Sequence, residues 1–270
     1  MRGTIALATL TLSAGALVPP AWGEALDCPP QPNERVRVSE VIDGDTIALE
    51  DGRIVRLVGI LAPKAELSGA SEEERRFAKA AQEALARAVR GSDLGLATSG
   101  GRHDRHGRLL AHAFIAGDRH RWLQGLMIDQ GLARAHAAVD NSRCVRVLLD
   151  REAVARAASR GLWAGPLGQV RAAEAPEELA EEVGRYAIVE GRVISVGERP
   201  QRTYLNFGTY WSEDFTAFVD RRDVQRFTDE GFVLGDLEGR RVRVRGWVGE
   251  DRGPVIHMKR PEQLELVGEE

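Results

Sequence analysis

The architecture is read first from Val41-Ile42-Asp43-Gly44-Asp45-Thr46 and the Val55-Arg56-Leu57-Val58-Gly59-Ile60 that follows it. Apolar residues alternate on either side of an Asp-Gly-Asp turn, and residues two apart share one face of a strand. Residues 36–38 and 47–49 are therefore predicted strands, with Asp51-Gly52 as a hairpin turn. The mostly apolar run 54–60 reads as a buried barrel strand. Downstream, Ser71 precedes Glu72-Glu73-Glu74, a hydroxyl cap followed by acids that suit the positive end of a helix. Phe77, Ala81, Ala84, Leu85 and Ala88 give this helix an apolar stripe, and Gly91 ends it. A strand at 109–115 follows, then a short helix at 122–130 stopped by Gly131 and a longer one at 140–160 stopped by Gly161. This succession predicts a β-rich α+β fold, a small barrel decorated by helices.

The chain extends well beyond this unit. Its 270 residues fit one large domain or two ordinary ones, and 43 % apolar with 29 % charged residues is a globular composition. Residues 166–184 read as a linker whose acidic, Ala-rich centre at 174–182 forms a short helix. Beyond it, strands are predicted at 186–196, 203–207, 215–219, 241–248 and 264–267, with a short helix near 223–227. Five short strands over residues 185–268 predict a second small OB-type barrel. At the other end, Met1-Arg2, the apolar run 5–18, Pro19-Pro20 and small residues around Gly23 have the pattern of a signal peptide at 1–23. A cut after Gly23 fits best and one after Ala25 also fits; the competing reading is an uncleaved anchor. The apolar run is short for a membrane span and none follows it, so the mature chain is expected to carry no transmembrane segment. The expected location is exported, either periplasmic or secreted. Residues 24–33 read as a Pro-rich tether to a first domain at 34–165. Thiols outside the cytoplasm tend to pair, and the sequence leaves open a Cys28–Cys144 disulfide or two buried thiols.

There are 37 basic and 41 acidic side chains, a formal charge of −4. Such a chain does not bind polyanions indiscriminately, so contact with nucleic acid requires a local basic cluster.

Further motifs are Asp104-Arg105-His106-Gly107-Arg108-Leu109, Gln130-Gly131-Leu132-Ala133-Arg134 and Gly161-Leu162-Trp163. In this order, with the Asp-Gly-Asp turn and the Arg56 strand ahead of them, residues 34–165 resemble the thermonuclease (staphylococcal nuclease-like) family. The resemblance implies an OB-type five-stranded barrel with helices, hydrolysis of nucleic-acid phosphodiesters, nucleic acid or nucleotide phosphates as partners, and Ca2+ as cofactor. Cleavage of this kind must neutralise a highly charged phosphorane-like transition state. Arginine suits the task because its fork donates two bonds to phosphate and keeps its charge. A hard cation held by carboxylates shares the load, and a base activates water. By resemblance, Arg56 and Arg108 are the catalytic, phosphate-binding arginines and Asp45 is a metal carboxylate, while Asp43 and Thr46 shape the turn.

Three departures bear on the mechanism. The family's second metal carboxylate falls at Leu61, which has no ligand atom. Its general-base glutamate falls at Lys64, a cation unless strongly desolvated. Its base-stacking aromatic positions fall at Ala137 and Val139. Glu66 is a substitute base if the loop is shifted. The site is thus expected to be degenerate, with calcium binding weak or lost and Arg56, Lys64 and Arg108 forming a metal-free substrate-anion site. A weak thermonuclease-type endonuclease and a non-catalytic nucleic-acid-binding, anion-binding or scaffold protein remain the two readings.

Other groups are less specific. His103, His106 and His112 invite a zinc reading, but their spacing and the lack of a nearby cysteine favour surface or strand histidines. Arg241, Arg243, Arg245 and Trp247 alternate on one strand face, either a nucleic-acid strip or a solvated face. Tyr204, Phe207, Tyr210 and Trp211 read as core or stacking residues.

Overall fold

The computed structural model describes residues 28, 30–66, 69–137, 142–210 and 212–268; the leader, Val139, Asp140 and Trp211 lie outside the described residues. The first half contains β1 (Glu34–Val36), β2 (Val38–Asp43), β3 (Thr46–Leu49), β4 (Ile54–Leu57) and β5 (Ile60–Leu61). After these come α1 (Glu72–Val89), β6 (Leu94–His103), β7 (Leu109–Ile115), β8 (Asp118–Trp122), α2 (Leu123–Asp129), β9 (Arg134–Ala135) and α3 (Ser142–Ala157). The sheet runs β1-β6-β7-β4-β3-β2, with β8 on β7, and β5 pairs separately with β9. Helix α1 starts where the sequence places it: Ser71 Oγ accepts the Glu74 amide while the Glu74 carboxylate accepts the Ser71 amide. Its Ala81 and Leu85 pack with Ile47, Leu57 and Leu96 in one apolar core. Gly44 permits that packing, since a Cβ there would lie 2.6 Å from Ala81 Cβ and 2.7 Å from Ala62 Cβ.

The second half contains β10 (Arg171–Ala172), α4 (Pro176–Ala180), β11 (Tyr186–Arg192), β12 (Ser195–Glu198), β13 (Arg202–Asn206) and β14 (Thr216–Asp220). These are followed by α5 (Arg221–Asp229), β15 (Arg241–Asp251), β16 (Gly253–Met258) and β17 (Leu264–Leu266). Their sheet runs β10-β11-β15-β16-β14-β13-β12, with β17 on β15. Val242, Val244 and Val248 share the inner face of β15 and pack with Val189, Phe215 and Ile256 in a second core. The fold is thus β-rich α+β.

Several expectations need correction. The five strands expected after residue 185 are joined by β16, concealed by its opening Gly253-Pro254, and the single strand expected at 186–196 is divided into β11 and β12. Strands β6 and β8 escaped the sequence reading too; β6 is rich in glycine and polar residues through its middle. Within the described part of the expected tether, Cys28 is disulfide-bonded to Cys144, and the Asn33 amide donates to the Leu96 carbonyl at 2.8 Å.

The halves share a boundary. Ala155, Leu162, Trp163 and Ile188 form a third apolar cluster spanning both. Arg245 of β15 is 1 % exposed; it reaches Glu152 of α3 at 2.7 Å and also pairs with Glu265. Arg134 donates to the Tyr186 carbonyl at 3.1 Å and to that of Leu167. Buried charges are tolerated only when paired in this way.

Candidate phosphate-binding site

The β2–β3 turn builds one wall of the site. Asp43 Oδ1 accepts the Asp45 amide at 2.9 Å, an Asx turn that carries the Asp45 side chain inward. Asp45 is 0 % exposed. Its Oδ2 accepts the Ala62 amide at 2.7 Å, and its Oδ1 faces both the Arg56 guanidinium and the Lys64 ammonium. Lys64 Nζ also lies 2.6 Å from Asp43 Oδ2. Arg56 donates further to the carbonyls of Asp45 at 3.2 Å and Ile60 at 3.0 Å. Two carboxylates and two cations thus neutralise one another across a mostly buried contact.

Arg108 arrives from the opposite wall. Strands β4 and β7 are parallel, with Val55 opposite Leu109 and Arg56 opposite Leu110, so the turn ending at Arg108 opens beside Arg56. Asp104 Oδ1 accepts the His106 and Arg108 amides at 2.8 and 3.0 Å, while its Oδ2 holds the Arg108 guanidinium at 2.6 and 2.7 Å. Burial pushes the Asp104 carboxyl up, but those amides and the guanidinium outweigh it and hold it below its ordinary value.

Arg56, Lys64 and Arg108 line one cavity of about 920 Å³, shared with Tyr186 and Trp247 of the second half. Burial pushes Lys64 down to about 8; the Arg56 charge adds to this and Asp43 opposes it. Burial likewise pushes Arg56 down to about 10, with Asp43 opposing and Arg108 adding. Arg56, Lys64 and Arg108 thus share one cavity, but each is occupied: Arg56 and Lys64 by the turn acids, Arg108 by Asp104.

Calcium does not fit these residues. It takes six to eight oxygens. Here both Asp45 oxygens are engaged by N–H donors, residue 61 is leucine, and an ammonium lies against both turn acids. The suggested stand-in, Glu66, is exposed and absent from the cavity lining. Glu73 and Glu74 do line the cavity. The sequence marked them only as acids of the first helical turn, and Glu74 is held by its cap and by Arg185 at 3.5 Å.

The remaining candidates separate. His103 and His106 line the cavity, whereas His112 is buried against the Trp122 ring, where burial pushes it down to about 4. The arginine strip is corrected: Arg241 and Arg243 pair with Glu190 at 2.8 and 2.6 Å, and Arg245 is buried, leaving Trp247 as the exposed residue of the four without an ion pair. Phe207 is core, Tyr204 packs on Phe218, and Tyr210 is exposed. Ala137 is buried against a second cavity. The cavity's contributions from Arg134, His136 and Tyr186 were missed because they depend on how the halves meet; only an outward Trp247 was signalled, by the β15 alternation.

The β-rich fold thus brings Arg56, Arg108 and Asp104 onto one cavity. Residues 54–165 match the family model of staphylococcal nuclease homologues, so the chain carries a domain of that family. The match starts at β4, leaving the Asp43–Asp45 turn ahead of it. No curated protein matches the chain. No helix among the described residues is long and apolar enough to cross a membrane.

Proposed function

We propose that this chain is an exported protein that binds nucleic-acid phosphates without a metal, on a nuclease-type domain whose hydrolytic step is impaired or lost. The carrying observation is Lys64. Its ammonium lies against Asp45 and Asp43, where a metal-dependent nuclease needs carboxylates open to a cation. An incoming phosphate diester competes with Asp104 for Arg108 and reaches the outer edges of Arg56 and Lys64, whose side chains are partly solvent-accessible. Exchange of one anionic partner for another costs less than creating a bare buried charge. Water activation has weaker support, since a lysine stands where the family has its glutamate, Glu66 is not among the lining residues, and Glu74, which is, is held by the Ser71 amide and Arg185.

Three finer readings accompany this proposal. Each half curls into an OB-type barrel, a fold suited to single strands. The domains run 34–165 and 185–268, joined by 166–184. Residues 1–23 direct export, a reading supported by the Cys28–Cys144 disulfide, since such bonds persist in oxidising compartments. The family match favours a second reading, a weak endonuclease using Arg56 and Arg108 with calcium at Asp45.

The test is fluorescence anisotropy of a labelled single strand of roughly 12 nucleotides, in EGTA and in calcium, with hydrolysis followed on the same strand. Metal-independent binding without cleavage, weakened by Arg108→Gln, is expected. Binding or cleavage that strictly requires calcium supports the second reading and removes the first.

A further inference from the structure

The cavity at Arg56 and Arg108 has a neighbour. A second cavity of about 530 Å³ is lined by Arg222, Arg226, Lys259 and Arg260, together with His257 and Asp223. His136, Tyr186 and Trp247 line both cavities. They form an aromatic ridge: the His136 and Tyr186 ring centroids lie 5.2 Å apart and those of Tyr186 and Trp247 5.9 Å apart, both edge to face. Tyr186 is buried and locked from below by its strand pairing, opposite Trp247 in the β11–β15 register. Trp247 is 49 % exposed, so one part of its indole faces solvent between the two cavities.

Charge separates these surfaces from the rest of the chain. Among the described residues, seven basic and four acidic side chains line the first cavity, and four basic and one acidic line the second; Arg222 and Arg226 pair with Asp220 and Asp223 at 3.6 Å, so here, as at Arg56, Lys64 and Arg108, a phosphate must exchange with a resident carboxylate. The whole chain has the opposite balance, 37 basic against 41 acidic. A cation-lined path interrupted by an exposed ring, on a chain otherwise net negative, matches what a single-stranded polynucleotide presents: regularly spaced phosphates and π-faced bases.

We infer that the two cavities are one track for a single-stranded nucleic acid, with a base stacked on Trp247 and phosphates held on either side. The inference rests on the phosphate-binding reading of the Arg56–Arg108 cavity and extends it to the second half of the chain. Trp247 then supplies the stacking face that Ala137, lining the second cavity beside it, has no ring to offer. The track also explains why the halves meet through buried pairs such as Arg245–Glu152: both phosphate grips and the ring must keep a fixed spacing.

The experiment measures affinity of the full chain for a single strand of roughly 12 nucleotides, for inorganic pyrophosphate and for poly-glutamate, with Trp247→Ala, Trp247→Phe and Lys259→Ala beside the unaltered protein. Trp247→Ala is expected to weaken strand binding about 5–150-fold, with Trp247→Phe restoring most of it and pyrophosphate affinity unchanged. Lys259→Ala is expected to reduce the slope of log affinity against log salt by about 1. Circular dichroism and thermal melting verify that the exposed-site variants remain folded. Unchanged strand binding by Trp247→Ala overturns the track and leaves the phosphate site standing. Binding of pyrophosphate but not of the strand also overturns it and confines the protein to small anions; failure to bind either removes the phosphate reading as well. Equal loss of poly-glutamate and strand binding in Trp247→Ala would identify an acidic protein as the partner instead.

Discussion

Changing Lys64→Glu together with Leu61→Asp removes the ammonium from Asp45 and adds two carboxylates around Arg56. In the unaltered chain Lys64 pairs with Asp45, which is fully buried, and with Asp43, while its own side chain is 23 % exposed. Breaking such a contact from one side costs about 3–5 kcal/mol, because the partner acid is left buried and short of a cation. For a chain of this size, about 2–4 °C is lost per kcal/mol, so the double variant should melt about 6–20 °C lower in EGTA. Calcium should then recover part of that loss. With about 10 mM calcium and a dissociation constant of about 0.1–1 mM, linkage returns about 1.4–2.7 kcal/mol, or about 3–11 °C. The unaltered protein should not shift, since an ammonium holds the position. Differential scanning calorimetry in EGTA and in calcium reads both outcomes. An equal calcium shift in the unaltered protein, or none in a folded double variant, would show that Lys64 does not exclude the ion.

Three further outcomes follow from buried groups. Reduction of Cys28–Cys144, or Cys28→Ser with Cys144→Ser, opens a loop with a sequence separation of 116; by chain entropy the loss is about 4–5 kcal/mol, read as a lower urea midpoint. Arg245→Met leaves Glu152 buried without its closest cation and should cost about 3–5 kcal/mol, while Glu152→Gln in the same chain should recover part of it; additive losses in the urea midpoint would show that the two side chains are uncoupled. His112 titrates near 4 in the fold against an ordinary 6.5, because burial disfavours the cation. The unfolded chain therefore binds the proton first: stability from the neutral ring is full above pH 6.5 and falls by about 3 kcal/mol as pH drops through 4. His112→Phe should flatten that part of the stability profile measured by urea titration, and an unchanged slope would rule the ring out as its source.

The sequence carried the local rules well and the distant pairings poorly. Helix α1 was legible because its cap, its acidic first turn and its stripe all lie within one segment. The Asp43–Asp45 turn and the Arg56 strand were legible for the same reason, and Lys64 stood out as a cation at an acidic position. What the sequence did not carry was where that cation points. Lys64 meets Asp45 across 19 positions, and its engagement turns a vacant anion grip into a neutralised one. Arg245 illustrates the same limit. Strand alternation places it outward, but Glu152 lies 93 positions away and arrives only when α3 packs against β15. Strand β16 was hidden by Gly253-Pro254, residues that normally mark a loop. The shared cavity was not legible at all, because its second wall belongs to the other sheet.

In this structure the Lys64 ammonium holds the cation position at Asp45. A crystal of the unaltered protein soaked in calcium tests it most directly. Lys64 Nζ should lie against Asp45 and Asp43, with no ion on either carboxylate. An ion bound to Asp45, with Lys64 swung into solvent, would contradict it.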